Sequence, residues 1–254
     1  MNDTRLLKYI RQILLAVISL MNSACNADVV GSGTLKVNYF FDDKKIIELS
    51  KHIAKGNISK IEEAVNSGVN INTVGKDGMT LLLLALHAQN KKGYEKLLKL
   101  GASPNLQLKS GDSVMSLSAA MSDSFYLQQA LMHGGNPNIV NEVKKVFPTP
   151  IYRAIAELNI NNVKILANAN ANIDYSDFRG FTPALYAANI NQWEIVYFLL
   201  KVGADFTKLD RWNKGIVYSL EENNISNQGE LYQWRGKVIE FLRQKGVQIT
   251  PRIP

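Results

Sequence analysis

The chain has 254 residues, 46% hydrophobic and 20% charged, with 29 Lys and Arg against 22 Asp and Glu and a net charge of +7. Length and apolar content suit one large domain, two small ones or a repeat array, and the single cysteine excludes a framework of intramolecular disulfides. Basic residues lie in scattered pairs, such as Lys91 with Lys92 and Lys144 with Lys145. No Arg-rich run or aromatic-interleaved basic motif appears, so the reading is of no nucleic-acid partner.

In chain order, the first element is a leader. Arg5, Lys8 and Arg11 precede the uncharged run Ile13 to Met21, and small residues follow in Asn22 to Ala27. That is the three-part layout of a secretory signal peptide over 1–27, and its apolar run is shorter than a bilayer span requires. Cys25, after Ser23 and Ala24, resembles the acylated cysteine of a bacterial lipobox, although Asn22 stands where an aliphatic residue is usual. Cleavage after Ala27 is the competing reading. Both place the mature chain in the periplasm, lipid-anchored through Cys25 or soluble. Loss of the leader removes three cations and one carboxylate and lowers the net charge from +7 to +5.

Residues 28–43 read as a tether, extended over Asp28 to Phe40. Lys44 to Gly68 follows as a pair of helices with a more polar outer face, the mark of a terminal repeat. From there the chain repeats itself. Gly68-Val69-Asn70-Ile71-Asn72 returns as Gly101-Ala102-Ser103-Pro104-Asn105, Gly134-Gly135-Asn136-Pro137-Asn138, Asn170-Ala171-Asn172-Ile173-Asp174 and Gly203-Ala204-Asp205-Phe206-Thr207. A second phrase keeps the same register through Thr80, Ser113, Thr149 and Thr182. Two independent phrases at a shared period of about 33 residues define a repeat array. The predicted fold is all-α, with repeats near 44–76, 77–109, 110–145, 146–178, 179–211 and 212–254.

Each phrase has a local cause. Thr182-Pro183 opens a helix with a capping hydroxyl and a proline tolerated in the first turn. Gly203 ends one in the left-handed conformation. Ile195, Val196, Phe198, Leu199 and Leu200 supply an apolar stripe between them, and Trp193 reads as a packing residue. Ile216 to Leu220 with Val238, Ile239, Phe241 and Leu242 form the apolar side of a terminal cap. Extra residues fall within Asn141 to Phe147 and around Asn223 to Gly229, where loop insertions are expected.

The stretches DGMTLLLLAL and RGFTPALYAANINQWEIVYFLLKVGAD resemble ankyrin repeats, whose family pattern is G-x-T-P-L-H-x-A-A, a second helix and then G-A-D-x-N. The resemblance implies a solenoid of five to six helix-turn-helix repeats with projecting β-turn fingers. The family's histidine is missing: Leu83, Tyr152 and Leu185 stand in its place, so the turns are expected to be held more by packing.

No nucleophile elbow, phosphate loop or zinc-protease motif occurs, and His52, His87 and His133 lie in separate repeats without ligand spacing. The chain therefore reads as a binding protein, with no enzymatic activity, no metal and no cofactor. Its candidate contacts lie on the turns at Thr73 to Gly78, Lys109 to Asp112, Asn141 to Phe147, Tyr175 to Phe181 and Lys208 to Lys214. There Lys76, Asp77, Lys109, Asp112, Lys144, Lys145, Phe178, Arg179, Arg211 and Trp212 are the candidate partner-binding residues, since aromatic and Arg side chains dominate interface hot spots.

The export leader, short tether and array together resemble the exported ankyrin immunity lipoproteins paired with phospholipase effectors of the type VI secretion system. That resemblance implies a monomer that binds an incoming phospholipase effector in the periplasm and blocks its access to lipid. A general periplasmic scaffold and a secreted effector directed at a host protein stand as alternatives.

Overall fold

The computed structural model describes residues 37–222 and 228–250. The leader, Cys25 and most of the 223–229 insertion lie outside them. The described residues hold thirteen α-helices and no strand, beyond an isolated antiparallel bridge between Val74 and Thr80. The described residues up to Lys109 form one compact unit and those from Ser110 a second.

The N-terminal unit contains α1 (Val37–Phe40), α2 (Lys44–Lys55), α3 (Ile58–Asn66), a 3-10 turn (Lys76–Gly78), α4 (Leu81–His87) and α5 (Lys91–Lys99). The C-terminal unit contains four hairpins. These are α6 (Val114–Ala119) with α7 (Phe125–Met132), α8 (Pro150–Ala156) with α9 (Ile160–Asn168), α10 (Pro183–Asn189) with α11 (Trp193–Lys201), and α12 (Ile216–Glu222) with α13 (Glu230–Gln244). Within this unit first helices pack on first helices, α6 on α8, α8 on α10 and α10 on α12, while α9 meets α11 and α11 meets α13.

The repeated hydroxyl residues start the first helices. Thr80 and Thr182 accept the amides of Leu83 and Leu185 at 3.2 and 3.3 Å, and Ser113 exchanges a reciprocal capping pair with Ser116. Thr149 makes no cap bond, and its buried hydroxyl has no partner; there Pro150 alone presets the helical backbone. Three second helices, α3, α5 and α9, are opened by asparagines, and two of these also reach the preceding hairpin. Asn90 caps α5 and donates to the Ala54 carbonyl at 2.9 Å. Asn159 caps α9 and donates to the Met121 carbonyl at 2.9 Å. At the far end, Gly203 follows α11 with φ +102°, and Asn170 fills the equivalent place with φ +62°.

The last residue of the recurring phrase explains its own recurrence. The Asn72 side chain donates to the Gly101 carbonyl and accepts the Ser103 amide, at 3.1 and 2.7 Å. Two repeats further along the sequence, Asn138 makes the same two bonds to Asn170 and Asn172, at 3.0 and 2.6 Å. Asp174 accepts the Asp205 amide at 2.9 Å. Each such residue ties its turn to the next. The core is aliphatic around Leu81 to Leu86, with Trp193, Tyr94, Tyr126 and Tyr152 as its largest fully buried side chains.

One segment departs from the sequence reading. Val37–Phe40, expected to be extended, forms a helical turn, so the folded region starts before Asp43. Helical geometry lets Phe41 enter the core at 4% exposure while the Tyr39 hydroxyl donates to the Asp77 carboxylate at 3.3 Å. Docking against the 3-10 turn decides the conformation, which the local sequence leaves open.

Candidate protein-binding surface

In the N-terminal unit, the turn at 75–78 gathers three of the expected residues. Asp77 sits at φ +59° and its carboxylate faces the Lys109 ammonium at 3.2 Å. Its carbonyl accepts the Lys109 amide at 2.8 Å. Lys76 lies 3.9 Å from the centre of the Tyr39 ring. This is an exposed, internally paired turn.

In the C-terminal unit, the fingers at 175–181 and 208–214 share one construction. Asp177 and Asp210 are each only 7% exposed. Asp177 accepts the amides of Arg179 and Phe181 at 2.8 and 2.9 Å and the Arg179 Nε at 2.9 Å. Asp210 accepts the amides of Trp212 and Lys214 at 2.8 and 2.9 Å. The Arg211 amide donates to the Arg179 carbonyl at 2.9 Å and joins the two fingers. Carboxylates facing inward make each finger rigid; cations and rings are left outside. The 33-residue spacing of Asp177 and Asp210 was readable in the sequence and marks this lock.

This brings Phe178, Arg179, Arg211 and Trp212 together as a cluster. Phe178 is 46% exposed and Trp212 56%. The Arg211 guanidinium lies 5.8 and 5.6 Å from the Phe178 and Trp212 rings, and the Arg179 guanidinium 4.7 Å from Phe181. Beside them opens a groove of about 320 Å³ lined by Phe181, Leu185, Asn189, Trp212, Lys214 and Tyr218 among others. The sequence reading named Trp212 and placed Phe181 and Lys214 on candidate turns, but it missed Leu185, Asn189 and Tyr218, whose approach depends on how α10 and α12 pack. Lys214 donates to the Tyr218 hydroxyl at 2.9 Å, and this bond raises the Lys214 ammonium above its ordinary value.

The finger at 141–148 corrects two expectations. Asp112 is 1% exposed, so it is not available to a partner. Its carboxylate accepts from Arg153 and from Lys144, each at 2.6 Å, and from the Ser110 hydroxyl at 2.9 Å. Lys144 is thereby tied down as well, and the three-residue insertion serves to bring it there. Burial alone would push the Asp112 carboxyl up; the charges of Arg153 and Lys144 and the bonds from Lys144 and Ser110 outweigh it and hold the carboxyl below its ordinary value. Lys145 remains exposed. Cys25 lies outside the described residues.

Residues 116–210 match the family described as ankyrin repeats (3 copies). An ankyrin repeat domain from Acinetobacter baumannii AYE superimposes with a TM-score of 0.65 at 22% identity, covering 79% of this chain and 98% of that one. This chain has the ankyrin-repeat fold. Protein PhlB of Serratia liquefaciens is 29% identical over 152 residues, which are 60% of this chain and 66% of PhlB, just under two thirds of its length. The ankyrin repeat protein YahD of Escherichia coli K12 is 29% identical over 183 residues, 70% of this chain and 90% of YahD.

The ankyrin-repeat fold generally serves as a non-catalytic protein-interaction scaffold. The position of the family's histidine corrects another expectation. Tyr152 stands there, and its hydroxyl lies 2.6 and 2.5 Å from the carbonyls of Tyr175 and Phe181. The finger at 175–181 is thus held by hydrogen bonds, from Tyr152 on one side and Asp177 within, more than by packing. Burial pushes the Tyr152 hydroxyl far up, so it stays a proton donor. Among the described residues no group of three or more His, Cys, Asp or Glu is placed to hold a metal ion, and no helix is long and apolar enough to cross a membrane.

Proposed function

We propose that this ankyrin-repeat protein is exported to the periplasm, where it binds a phospholipase effector delivered by a type VI secretion system and neutralises it by covering its route to lipid. The observation that carries the reading is the exposed cluster of Phe178, Arg211 and Trp212 on two rigid fingers. Large aromatic and Arg side chains held rigidly in the open are the material of interface hot spots. The leader over 1–27 and the resemblance to exported immunity proteins supply the compartment and the class of partner. A cover of about 800 Å² on each partner is enough for a specific complex.

The test is direct. The reading predicts a phospholipase gene beside this one; its product is purified, and its hydrolysis of phosphatidylglycerol vesicles is followed with increasing amounts of the chain. Stoichiometric inhibition with a 1:1 complex by calorimetry is the expected result. Full hydrolysis at a tenfold excess of the chain would overturn the reading and favour a general periplasmic scaffold. Fractionation of cells carrying the wild type and Cys25→Ser then separates the two export routes: an acylated chain leaves the membrane fraction on substitution, and a soluble one does not.

A further inference from the structure

The fingers at 175–181 and 208–214 have an uneven charge distribution. Their two carboxylates, Asp177 and Asp210, are 7% exposed and engaged with finger amides, whereas Lys208, Arg211 and Lys214 are exposed. Two cations are already balanced. Arg179 pairs with Asp177 at 2.9 Å, and Lys208 faces Asp205 at 3.9 Å. Lys214 spends one donor on the Tyr218 hydroxyl. No carboxylate among the described residues lies within salt-bridge distance of the Arg211 guanidinium. The outer surface therefore presents positive charge around a groove of mixed lining, apolar at Phe181, Leu185, Trp212 and Tyr218 and polar at Asn189, Ser219 and the amide-bound Asp210.

The rings decide the sign of the ligand. The protein's own cations lie over them: Arg211 over Phe178 and Trp212, Arg179 over Phe181, and Lys214 at 4.1 Å over Tyr218. Faces covered in this way do not form a cage for an incoming cation, nor a free platform for stacked bases. What remains is the N–H donors of exposed Arg211 and Lys214 beside a groove lined in part by Leu185. Its volume of about 320 Å³ is at the lower end of the range for small-molecule sites, roughly 300–1,000 Å³. That suits one or two apolar side chains better than a two-chain lipid.

We infer that this groove seats an acidic loop of a folded protein partner: one apolar side chain enters against Trp212, Tyr218 and Leu185, and carboxylates on either side of it bind Arg211 and Lys214. Complementary charge of this kind sets specificity and encounter rate, and the apolar anchor supplies the buried centre. The inference rests on the proposal that this face binds protein, and it specifies the chemistry of that contact.

The probe is a fluorescein-labelled cyclic peptide presenting Asp-Glu-Leu-Phe-Glu-Asp, titrated with the full chain and read by anisotropy. Saturable binding is expected, weakened at least tenfold by Trp212→Ala and by the double variant Arg211→Glu/Lys214→Glu. A rise in salt from 0.15 to 0.5 M should weaken it too, because exposed charges are then screened. The companion peptide with every carboxylate replaced by Lys should bind the double variant and not the wild type. All substituted side chains are exposed, so unchanged circular dichroism verifies folding. Equal affinity of wild type and double variant for the acidic peptide, or no saturation at 1 mM, would overturn the inference. So would Trp212-dependent binding of a 12-mer oligothymidylate or of phosphatidylglycerol vesicles in the absence of peptide binding. A phospholipase inhibited equally by wild type and double variant would sink this inference and leave the proposed function standing; a phospholipase that is not inhibited, alongside normal peptide binding, would do the reverse.

Discussion

Replacing Asp112 by Asn keeps the side chain's shape and removes its charge. Asp112 is 1% exposed and accepts from Arg153, Lys144, Ser110 and the Asn141 amide, the last at 3.3 Å. Lys144 is one-third exposed and can turn to water, but the Arg153 side chain is only 12% exposed and its Nε already lacks a partner. Stranding such a guanidinium is the costly case: removing one member of a buried pair costs about 3–5 kcal/mol. Because Lys144 is free to leave, the lower end applies, about 3 kcal/mol, or a fall of about 10 °C in the melting temperature of a unit this size. Lys144→Met, which leaves the Arg153 pair intact, should cost no more than about 1 kcal/mol. The measurement is urea unfolding followed by circular dichroism, at pH 7 and in steps down to pH 2. The Asp112 carboxyl is held below its ordinary value of 3.8, so its contribution is complete above that value and disappears as pH falls through the depressed one. The gap between wild type and Asp112→Asn should therefore be widest near neutrality and narrow below pH 3.8. A gap under about 0.5 kcal/mol at pH 7 would refute the reasoning on magnitude; a gap that stays constant to pH 2 would refute it on mechanism.

Tyr152→Phe removes the hydroxyl from the carbonyls of Tyr175 and Phe181. It should cost about 1–3 kcal/mol and speed hydrogen exchange across 175–181, with exchange elsewhere in the unit changed less. Two glycines with positive φ should respond differently to alanine. Gly203 has open space where a Cβ would stand, so Gly203→Ala should cost only the backbone strain, about 1–2 kcal/mol. At Gly111, φ +77°, a Cβ would fall 2.0 Å from the Asn141 Oδ1. Asn141 in turn accepts the amides of Val143 and Lys144 at 3.1 and 2.8 Å. Gly111→Ala should then exceed Gly203→Ala by at least about 1 kcal/mol in thermal unfolding, and equal losses would show that the 141–148 finger yields freely.

The amino-acid sequence by itself determined the repeat register, the start of each first helix at Thr80, Ser113, Thr149 and Thr182, the left-handed stops at Gly203 and its counterparts, and the burial of Trp193. These follow from contacts within four residues and from a period that recurs, so a linear reading contains them. It also placed Phe178, Arg179, Arg211 and Trp212 on turn tips, but their meeting in one cluster needed the bond from the Arg211 amide to the Arg179 carbonyl that joins the two fingers. Packing alone decided the rest. Whether Asp112 meets a partner or the core depends on Arg153, 41 residues away. Whether Tyr152 merely packs or holds a finger depends on carbonyls 23 and 29 residues on. Val37–Phe40 coils because Phe41 and Tyr39 find sites on a turn nearly 40 residues later. A charged or aromatic side chain in a turn has two outlets, water or a buried partner. The free-energy difference between them is set by which groups stand opposite after the helices stack, and no local pattern records that.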